Sequence, residues 1–546
     1  IFLDTMAAPG SLLLLALATC LGAALAIPVR NVADCVSENL LNAVGSVYPS
    51  MHQIQQQAIQ EKTTVTIAQN FEITYASTYK IVNITKNDTT ETYVLYQCGT
   101  AAPKLADLGL PSGTKTFSVP LRAVNAADTT VLNFMKLLGV QDRIAYVTQY
   151  AVDPCMQLLS SQQCGNRSSR NVVAQAVDAT FDFDKDASDP TAIMFTATAD
   201  FGPLHGAEYV KYVSVFFNRE AVANKLFSSI FDSYNELSDF VFSYLEKNSV
   251  SLRPVVAWLY YQAAYPPEDP EQIQIKFHSF RKQYTMDAGG VLPDLDQLKA
   301  TFANGSTVTV NSADNLVLYN LSEPATKKAL EDILENVDIV IDESYVKGDA
   351  AKYTVDSFLK RYGLTSPSAA QLKFLRNKAL LRLDGTSTPN GYTAWWEEAL
   401  ARPDVVLHDL VALINPAILA AANDSTAPRL IRSLFPPSTD VPSTNTNTTT
   451  MTTTTTTTTT TNGLTILTAD NCPSKQCGAA ASPICPPVYL DCNGKLVVAS
   501  EAQPCGPTKC LNKDSGGAAG RAAVVHWMLL SLIAMAVIAL VDSWCL

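Results

Sequence analysis

The sequence predicts an α/β protein whose sheets are mostly parallel. Three stretches and one bulk property carry that expectation. Within residues 81–154, short runs rich in β-branched and aromatic residues, YVLYQCG (93–99), FSVPL (117–121) and RIAYVTQY (143–150), alternate with a helix-like LNFMKLLGV (132–140). Such alternation reads as α/β units. VVAWLYYQ (255–262) and VDIVIDESY (337–345) read as further buried strands. At 546 residues and 47 % apolar content the chain is long enough for two or three domains with sizeable cores.

In open parallel sheets ligands bind beyond the carboxyl ends of the strands. That rule places residues 121–125 and 146–150, with Arg122, Tyr146 and Tyr150 among them, at a candidate binding edge. Arg122 follows its strand and could clamp an anionic group bidentately, whereas Arg143 precedes its strand and sits at the opposite end.

The order of motifs is more specific than any one of them. After the stretch above come GPLHGAEYVKYVSVFFNRE (202–220), RPVVAWLYY (253–261), YTMDAGG (284–290), VDIVIDESY (337–345) and ARPDVVLHDLVALINP (401–416). In this order they resemble the class III periplasmic binding proteins, the iron-siderophore and vitamin B12 binding type, over about residues 64–416. The resemblance implies two Rossmann-like lobes, 64–203 and 251–437, joined by a single long helix over 204–248, with a cleft between them. Residues 204–245 contain no Pro or Gly after Gly206, and Tyr209, Val213, Phe216 and Phe217 recur at helical spacing, as such a helix requires.

By the same resemblance three loops line the cleft. The first follows VVAWLYYQ and carries Trp258, Tyr260 and Tyr261, which either stack on a flat ligand or, by period-two alternation, turn inward to the core. The second ends VDIVIDESY and offers Glu343 and Tyr345, hard oxygen donors suited to the edge of an iron chelate. The third begins in turn chemistry at 385–392 and becomes helical, placing Asn390, Tyr392, Trp395 and Trp396 at a loop-to-helix junction where one tryptophan belongs to the core. Pro403 should start the next helix.

The implied cargo is a metal complex with its own chelation shell: a ferric siderophore or other iron species, haem or a corrinoid. No tightly bound cofactor is expected. Direct metal capture needs three or four converging ligands, and His52, His205, His278 and His408 are scattered among different segments. An uptake receptor or permease is the implied partner. An enzyme is not expected, for the chain lacks a Gly-x-Ser-x-Gly elbow, a His-Glu-x-x-His pair and a phosphate-binding loop. The net charge of −12, with no basic run, argues against nucleic-acid binding.

Flanking segments point to the secretory pathway and a cell surface. Residues 6–26 read as a signal peptide and 27–63 as an N-terminal extension. Seven Asn-x-Ser/Thr sequons (Asn83, Asn87, Asn166, Asn304, Asn320, Asn423 and Asn447) suit a eukaryotic glycoprotein, and an occupied one must lie on an exposed loop. A Thr-rich tract over 438–462 reads as a stalk. Six cysteines beyond it, Cys472, Cys477, Cys485, Cys492, Cys505 and Cys510, suggest a separate disulfide module over 463–511. In the globular part the simplest pairing closes Cys155 onto Cys164 and leaves Cys35 with Cys98. Residues 515–546 fit either a glycosylphosphatidylinositol anchor signal or a transmembrane segment, so the chain would face outward from a plasma membrane. The alternative reading is a surface recognition or adhesion glycoprotein that keeps the fold without the ligand.

Overall fold

Period-two burial builds the first sheet. In β1 (Phe71–Tyr75) and β2 (Tyr79–Lys86) alternate residues are buried, so one face packs inward and the other meets solvent. β3 (Thr89–Gln97) completes an antiparallel meander with them, and β4 (Lys115–Val119) adds in parallel to β3. The chain then starts a second, all-parallel sheet of β5 (Val124–Ala126), β6 (Ile144–Val147), β7 (Ala179–Asp182) and β8 (Ala192–Met194), in the order β6-β5-β7-β8. α1 (Leu132–Leu137) and α2 (Pro154–Ser160) flank β6 in the chain. The first lobe is therefore less parallel than expected, because YVLYQCG lies in a meander rather than beside RIAYVTQY.

The computed structural model describes residues 35–37, 41–42, 46–48, 61–160, 177–183, 189–264, 270–277, 280–302, 307–311, 315–436, 460–461, 463–472 and four short strand segments beyond them. Residues 6–26 and 515–546, the cysteines Cys164, Cys477, Cys492, Cys505 and Cys510, and the sequons Asn166, Asn304 and Asn447 lie outside this set. Among the described residues no helix is long and apolar enough to cross a membrane. Asn87, Asn320 and Asn423 are exposed, each at positive φ. Asn83 instead sits within β2, its amide donating to Glu72 and accepting from Thr92, so it is not the loop position expected of an occupied sequon.

The N-terminal extension is stapled on by Cys35–Cys98, the expected pair. Val36 donates its N–H to the carbonyl of Cys98, and a side chain at Gly99 would bring Cβ to 2.0 Å from the Val36 carbonyl oxygen. Only glycine allows that approach, and its φ of +90° suits glycine as well.

Between the lobes the predicted single helix is broken. Two short helices, α3 (Pro203–Ala207) and α4 (Tyr209–Ser214), precede a 28-residue α5 (Glu220–Lys247). The break falls at Asn218, which takes φ +53° although no Gly or Pro announces it. Its cause is a buried cation. Lys80, fully buried on β2, donates to the Val215 carbonyl at 2.6 Å, to Asn218 Oδ1 at 2.8 Å and to Glu220 Oε1 at 2.5 Å, using the three donors of its ammonium. The buried residues of α5 then run Ala223, Phe227, Ile230, Tyr234, Ser238, Val241, Leu245, a 3-4 stripe along one face. Ala223, Phe227 and Ile230 join the first-lobe core; Tyr234, Val241 and Leu245 join the second.

The second lobe carries β9 (Val256–Gln262), β10 (Gln272–Lys276), β11 (Val308–Val310), β12 (Leu316–Tyr319), β13 (Ile339–Asp342), β14 (Leu380–Arg382), β15 (Thr386–Ser387) and β16 (Arg432–Ser433). All but β15 form one seven-stranded sheet, β11-β12-β10-β9-β13-β14-β16. Its centre, β9-β13-β14, is parallel, and its flanks are antiparallel. The helices are α6 (Phe280–Asp287), α7 (Leu295–Phe302), α8 (Pro324–Leu334), α9 (Val355–Arg361), α10 (Lys373–Arg376), α11 (Ala394–Glu398), α12 (Pro403–Ile414) and α13 (Pro416–Ala421). Pro403 starts α12 as expected.

Beyond the Thr-rich tract the chain returns to this body. β17 (Thr460–Thr461) pairs antiparallel with β18 (Leu464–Ile466), which adds in parallel to β15. Cys472 is bonded to Cys155, not left to a distal module, so the expected Cys155–Cys164 pairing is replaced. Nearest-neighbour spacing misled here because a partner 317 residues away is delivered by a strand pairing that spacing does not encode. The boundary of any separate module therefore lies past Cys472. Two small ribbons follow, β19 (Ile484–Cys485) with β22 (Gln503–Pro504) and β20 (Val488–Leu490) with β21 (Leu496–Val498). β20 lies beside β6 of the first lobe.

Lys80→Ala should lower stability by about 3–5 kcal/mol, since it leaves Glu220 charged and buried without its partner. Denaturant midpoints of the variant and the parent check this.

Candidate functional site

The carboxyl ends of strands in both lobes converge on one region. β6 runs out into the loop bearing Tyr150, and β8 into a loop over 195–202; β13 is followed by Glu343 and Tyr345, and β14 by the turn that leads to Tyr392 and α11. Tyr150 of the first lobe meets Tyr392 of the second edge to face, ring centroids 5.1 Å apart. Tyr345 is close to both: its partial burial, with the neighbouring Tyr392 and Tyr150 phenols, pushes its hydroxyl pKa up. Tyr150, Tyr345 and Trp396 are each about half exposed, at 52 %, 52 % and 51 %. Large aromatics seldom leave so much surface in water without a binding role when they cluster.

Trp396 divides two compartments. On one side is a pocket of about 200 Å³ between the lobes, walled by Asp200 and Pro203 of the first and by Phe280, Tyr284, Trp395 and Leu400 around α6 and α11. On the other is a hollow of about 20 Å³ over Asp342, Arg382, Asp384 and Thr393. The second is water-sized; the first admits a flat group.

The ionic groups beneath this surface are already engaged. Arg281 clamps Glu343 bidentately at 2.6 and 2.8 Å, and Lys276 stands 3.4 Å away. Asp342 accepts from Tyr353, Tyr362, the Ser344 N–H and Arg382. Arg382 also donates to Asp384, which Arg432 grips from the other side at 2.7 Å. Burial works against ionisation of Asp384, but Arg382 and Arg432 outweigh it and hold its carboxyl below the usual range. Asp200, on the pocket wall, accepts from the Gln69 and Asn70 N–H groups and lies 2.9 Å from His205 Nδ1. What the cleft offers a visitor is therefore aromatic surface over a rigid, charge-balanced floor.

The carboxyl of Glu397 links the lobes. From α11 it accepts the N–H groups of Val152 at 2.6 Å and Asp153 at 3.1 Å, in the loop that carries Tyr150. Burial, with Asp153 and Glu398 nearby, pushes its pKa up to about 8 despite those two hydrogen bonds.

Several expected contacts are placed elsewhere. Trp258 is fully buried; its indole N–H donates to Thr285, and its ring packs near Trp395 and Phe280. Strand alternation turned it inward, so it is core, not ligand contact. Tyr260, on the same face, lies under Lys276, while Tyr261 turns to the opposite face and donates to Glu271. Arg122 pairs with Asp178, and both precede their strands, β5 and β7, so Arg122 sits at the amino edge, away from the cleft. Tyr146 is half-buried within β6. Glu343 is buried in its ion pairs, Trp395 is buried at the pocket wall, and the exposed Asn390 accepts the Gly348 N–H on its carbonyl. Phe280 and Glu397 were not among the expected contacts. Nor was Phe201, 66 % exposed in the loop after β8; an aromatic just before a Gly-Pro helix start was the available signal.

No family model matches the chain, and no curated protein matches it. Among solved structures 83 chains are similar. A periplasmic heme binding protein from Pseudomonas aeruginosa is 14 % identical, with 54 % of this chain and 94 % of that one covered and a TM-score of 0.37. A periplasmic binding protein from Veillonella parvula is 10 % identical, with 62 % and 99 % covered and a TM-score of 0.37. An ABC-type Fe3+-hydroxamate transport system protein from Saccharomonospora viridis is 14 % identical, with 54 % and 94 % covered and a TM-score of 0.34. At these scores the likeness carries no argument about ligand, and the architecture rests on this chain's own topology.

Trp258→Ala should cost about 3–5 kcal/mol through the void it leaves, whereas Trp396→Ala should stay within about 1 kcal/mol. Denaturation of both variants checks the contrast. Because the folded protein holds the Glu397 proton more tightly than the unfolded chain does, this group's contribution is fully present below the ordinary carboxylate range and is lost as pH rises to about 8. Thermal midpoints across that window should fall less steeply in Glu397→Gln than in the parent.

Proposed function

We propose that this chain is a solute-binding protein of the class III periplasmic type that captures a metal chelate in the inter-lobe cleft and holds it for uptake. The observation that carries this reading is the meeting of Tyr150 from one lobe with Tyr392 and Tyr345 from the other at the carboxyl edges of the strands, with Trp396 lining the hollow beside Tyr345. Exposed aromatic faces over a balanced ionic floor suit a planar or ring-bearing chelate that brings its own metal ligands. A ferric siderophore is the first candidate; haem and a corrinoid follow. Binding of this kind needs no covalent chemistry, and α5 with its continuous buried stripe would keep the site largely pre-formed. With a signal peptide at 6–26 and either an anchor signal or a transmembrane segment at 515–546, the reading extends to an outward-facing, membrane-attached eukaryotic glycoprotein that passes cargo to a receptor or permease.

One observation favours a second reading. The pocket of about 200 Å³ is smaller than the roughly 300–1,000 Å³ of ordinary small-molecule sites, which suits a recognition or adhesion protein that keeps the fold without cargo. The two readings part on whether a ligand spans Trp396 and uses the open surface beside it.

Tryptophan fluorescence separates them. Residues 27–511 contain three tryptophans, Trp258, Trp395 and Trp396, all at or under the cleft. Titration of this soluble segment with ferric siderophores, ferric citrate, haem and cobalamin should give saturable quenching with one class. Trp396→Ala should weaken that binding by about tenfold, the order expected for one lost stacking contact. Flat titrations of well-folded protein with every class would favour the recognition reading.

A further inference from the structure

We propose that residues 464–472 form a covalent strap that closes the two lobes into a ring and sets the aperture of the cleft. The strap is held by the second lobe at one end. Thr465 donates its N–H to the Gly385 carbonyl at 2.7 Å and Leu467 to the Ser387 carbonyl at 2.8 Å, while Leu464 is buried. Its start lies where the body left off, for a Cβ on Gly463 would stand 3.6 Å from the Arg432 Cβ. At its other end it is held by the first lobe. Cys472, fully buried, is bonded to Cys155 in the first turn of α2, and Gln157 on the same helix donates to the Leu467 carbonyl at 3.2 Å.

The point of attachment gives the strap its consequence. α2 follows directly on the loop that carries Tyr150, and that loop is the one Glu397 grips through Val152 and Asp153. Gln157 ties the two together, since its amide also donates to the Val152 carbonyl at 2.7 Å. The Tyr150 loop is thus fixed to the second lobe by the hydrogen bonds it donates to Glu397 of α11 and, through the Cys155–Cys472 bond, by the strap whose β18 pairs with β15. The stripe of α5 shared by both cores resists rotation of either lobe about the helix but leaves the cleft-side loops untied; a second connection on this side holds them together. Tyr150 and Tyr392 are then held at their contact distance in the absence of any cargo. The strands that precede and follow the Thr-rich tract, β16 and β18, both lie on this body.

The test uses the full secreted segment, residues 27–511, with a protease site inserted after Thr455. After cleavage the C-terminal fragment should stay with the body on a denaturing gel without reductant and leave it with dithiothreitol. Because Cys164 and the five further cysteines of the fragment could form a second link, the comparison is made in a Cys164→Ser background, where the cut fragment should stay without reductant and the added Cys472→Ser should release it. Release from Cys164→Ser without reductant, or retention in Cys164→Ser/Cys472→Ser, would overturn the strap. Because dithiothreitol also opens Cys35–Cys98, the effect on the cleft is read in the variants by hydrogen exchange. Cys155→Ser, Cys472→Ser and the double variant should share one pattern: amides of Val152, Asp153, Thr465 and Leu467 exchange at least tenfold faster, and those in the middle of α5 keep the parent rate. Parent-like exchange at the first four would overturn the aperture claim. None of these readouts needs a ligand. Only a further arm, weaker binding of a ferric chelate in Cys472→Ser, rests on the proposed function, and failure of all forms to bind would sink that reading while leaving the strap standing.

Discussion

One helix shared by two cores sets the geometry on which everything else depends. The 28 residues of α5 span about 42 Å at 1.5 Å per residue, and their buried stripe is continuous from Ala223 to Leu245. The first half of the stripe belongs to one lobe and the second half to the other. Neither lobe can turn about the helix axis without exposing apolar side chains of its own half. The start of the helix is fixed by Lys80, which ties β2 to Glu220 and bends the chain at Asn218. A charge buried this deeply is retained at a desolvation cost, and its three engaged donors explain why it persists: it specifies where the helix begins.

With the lobes so placed, the strand ends of both face a common gap, and the division of labour within the gap follows from solvation. Charged groups there are satisfied within the protein, as in the Asp342, Arg382, Asp384 and Arg432 cluster and the Arg281–Glu343 clamp. They stiffen the loops. Among the groups left half exposed at the gap are the rings of Tyr150, Tyr345 and Trp396. Such a surface discriminates by shape and polarisability more than by net charge, which fits a chelate whose metal is already neutralised by its own ligands.

Local pattern revealed the strands and the helix starts, because both depend on neighbours in the chain. β6, β9, β13 and the Pro403 helix start fall where alternation and capping chemistry put them. The candidate aromatics Tyr150, Tyr345 and Trp396 were legible for the same reason: each follows a strand or opens a helix. What pattern did not reveal is long-range. The bend at Asn218 comes from a lysine on β2, the inward turn of Trp258 from which sheet face the core occupies, and the Arg122–Asp178 pair from a neighbouring strand. Cys155 finds Cys472 only because β18 first pairs with β15. Glu397 was missed because its partners, Val152 and Asp153, are brought to it by the approach of the lobes alone.

The most direct test of the central claim, that the aromatic gap between the lobes is the binding site, is to locate the metal itself. A crystal of residues 27–511 grown with a saturating ferric chelate, with diffraction data collected at the iron absorption edge, would give an anomalous peak for the ion. The peak is expected in the gap beside Trp396, within reach of Tyr150, Tyr345 and Tyr392. Full occupancy of iron at any other place on the molecule, with the gap empty, would contradict it.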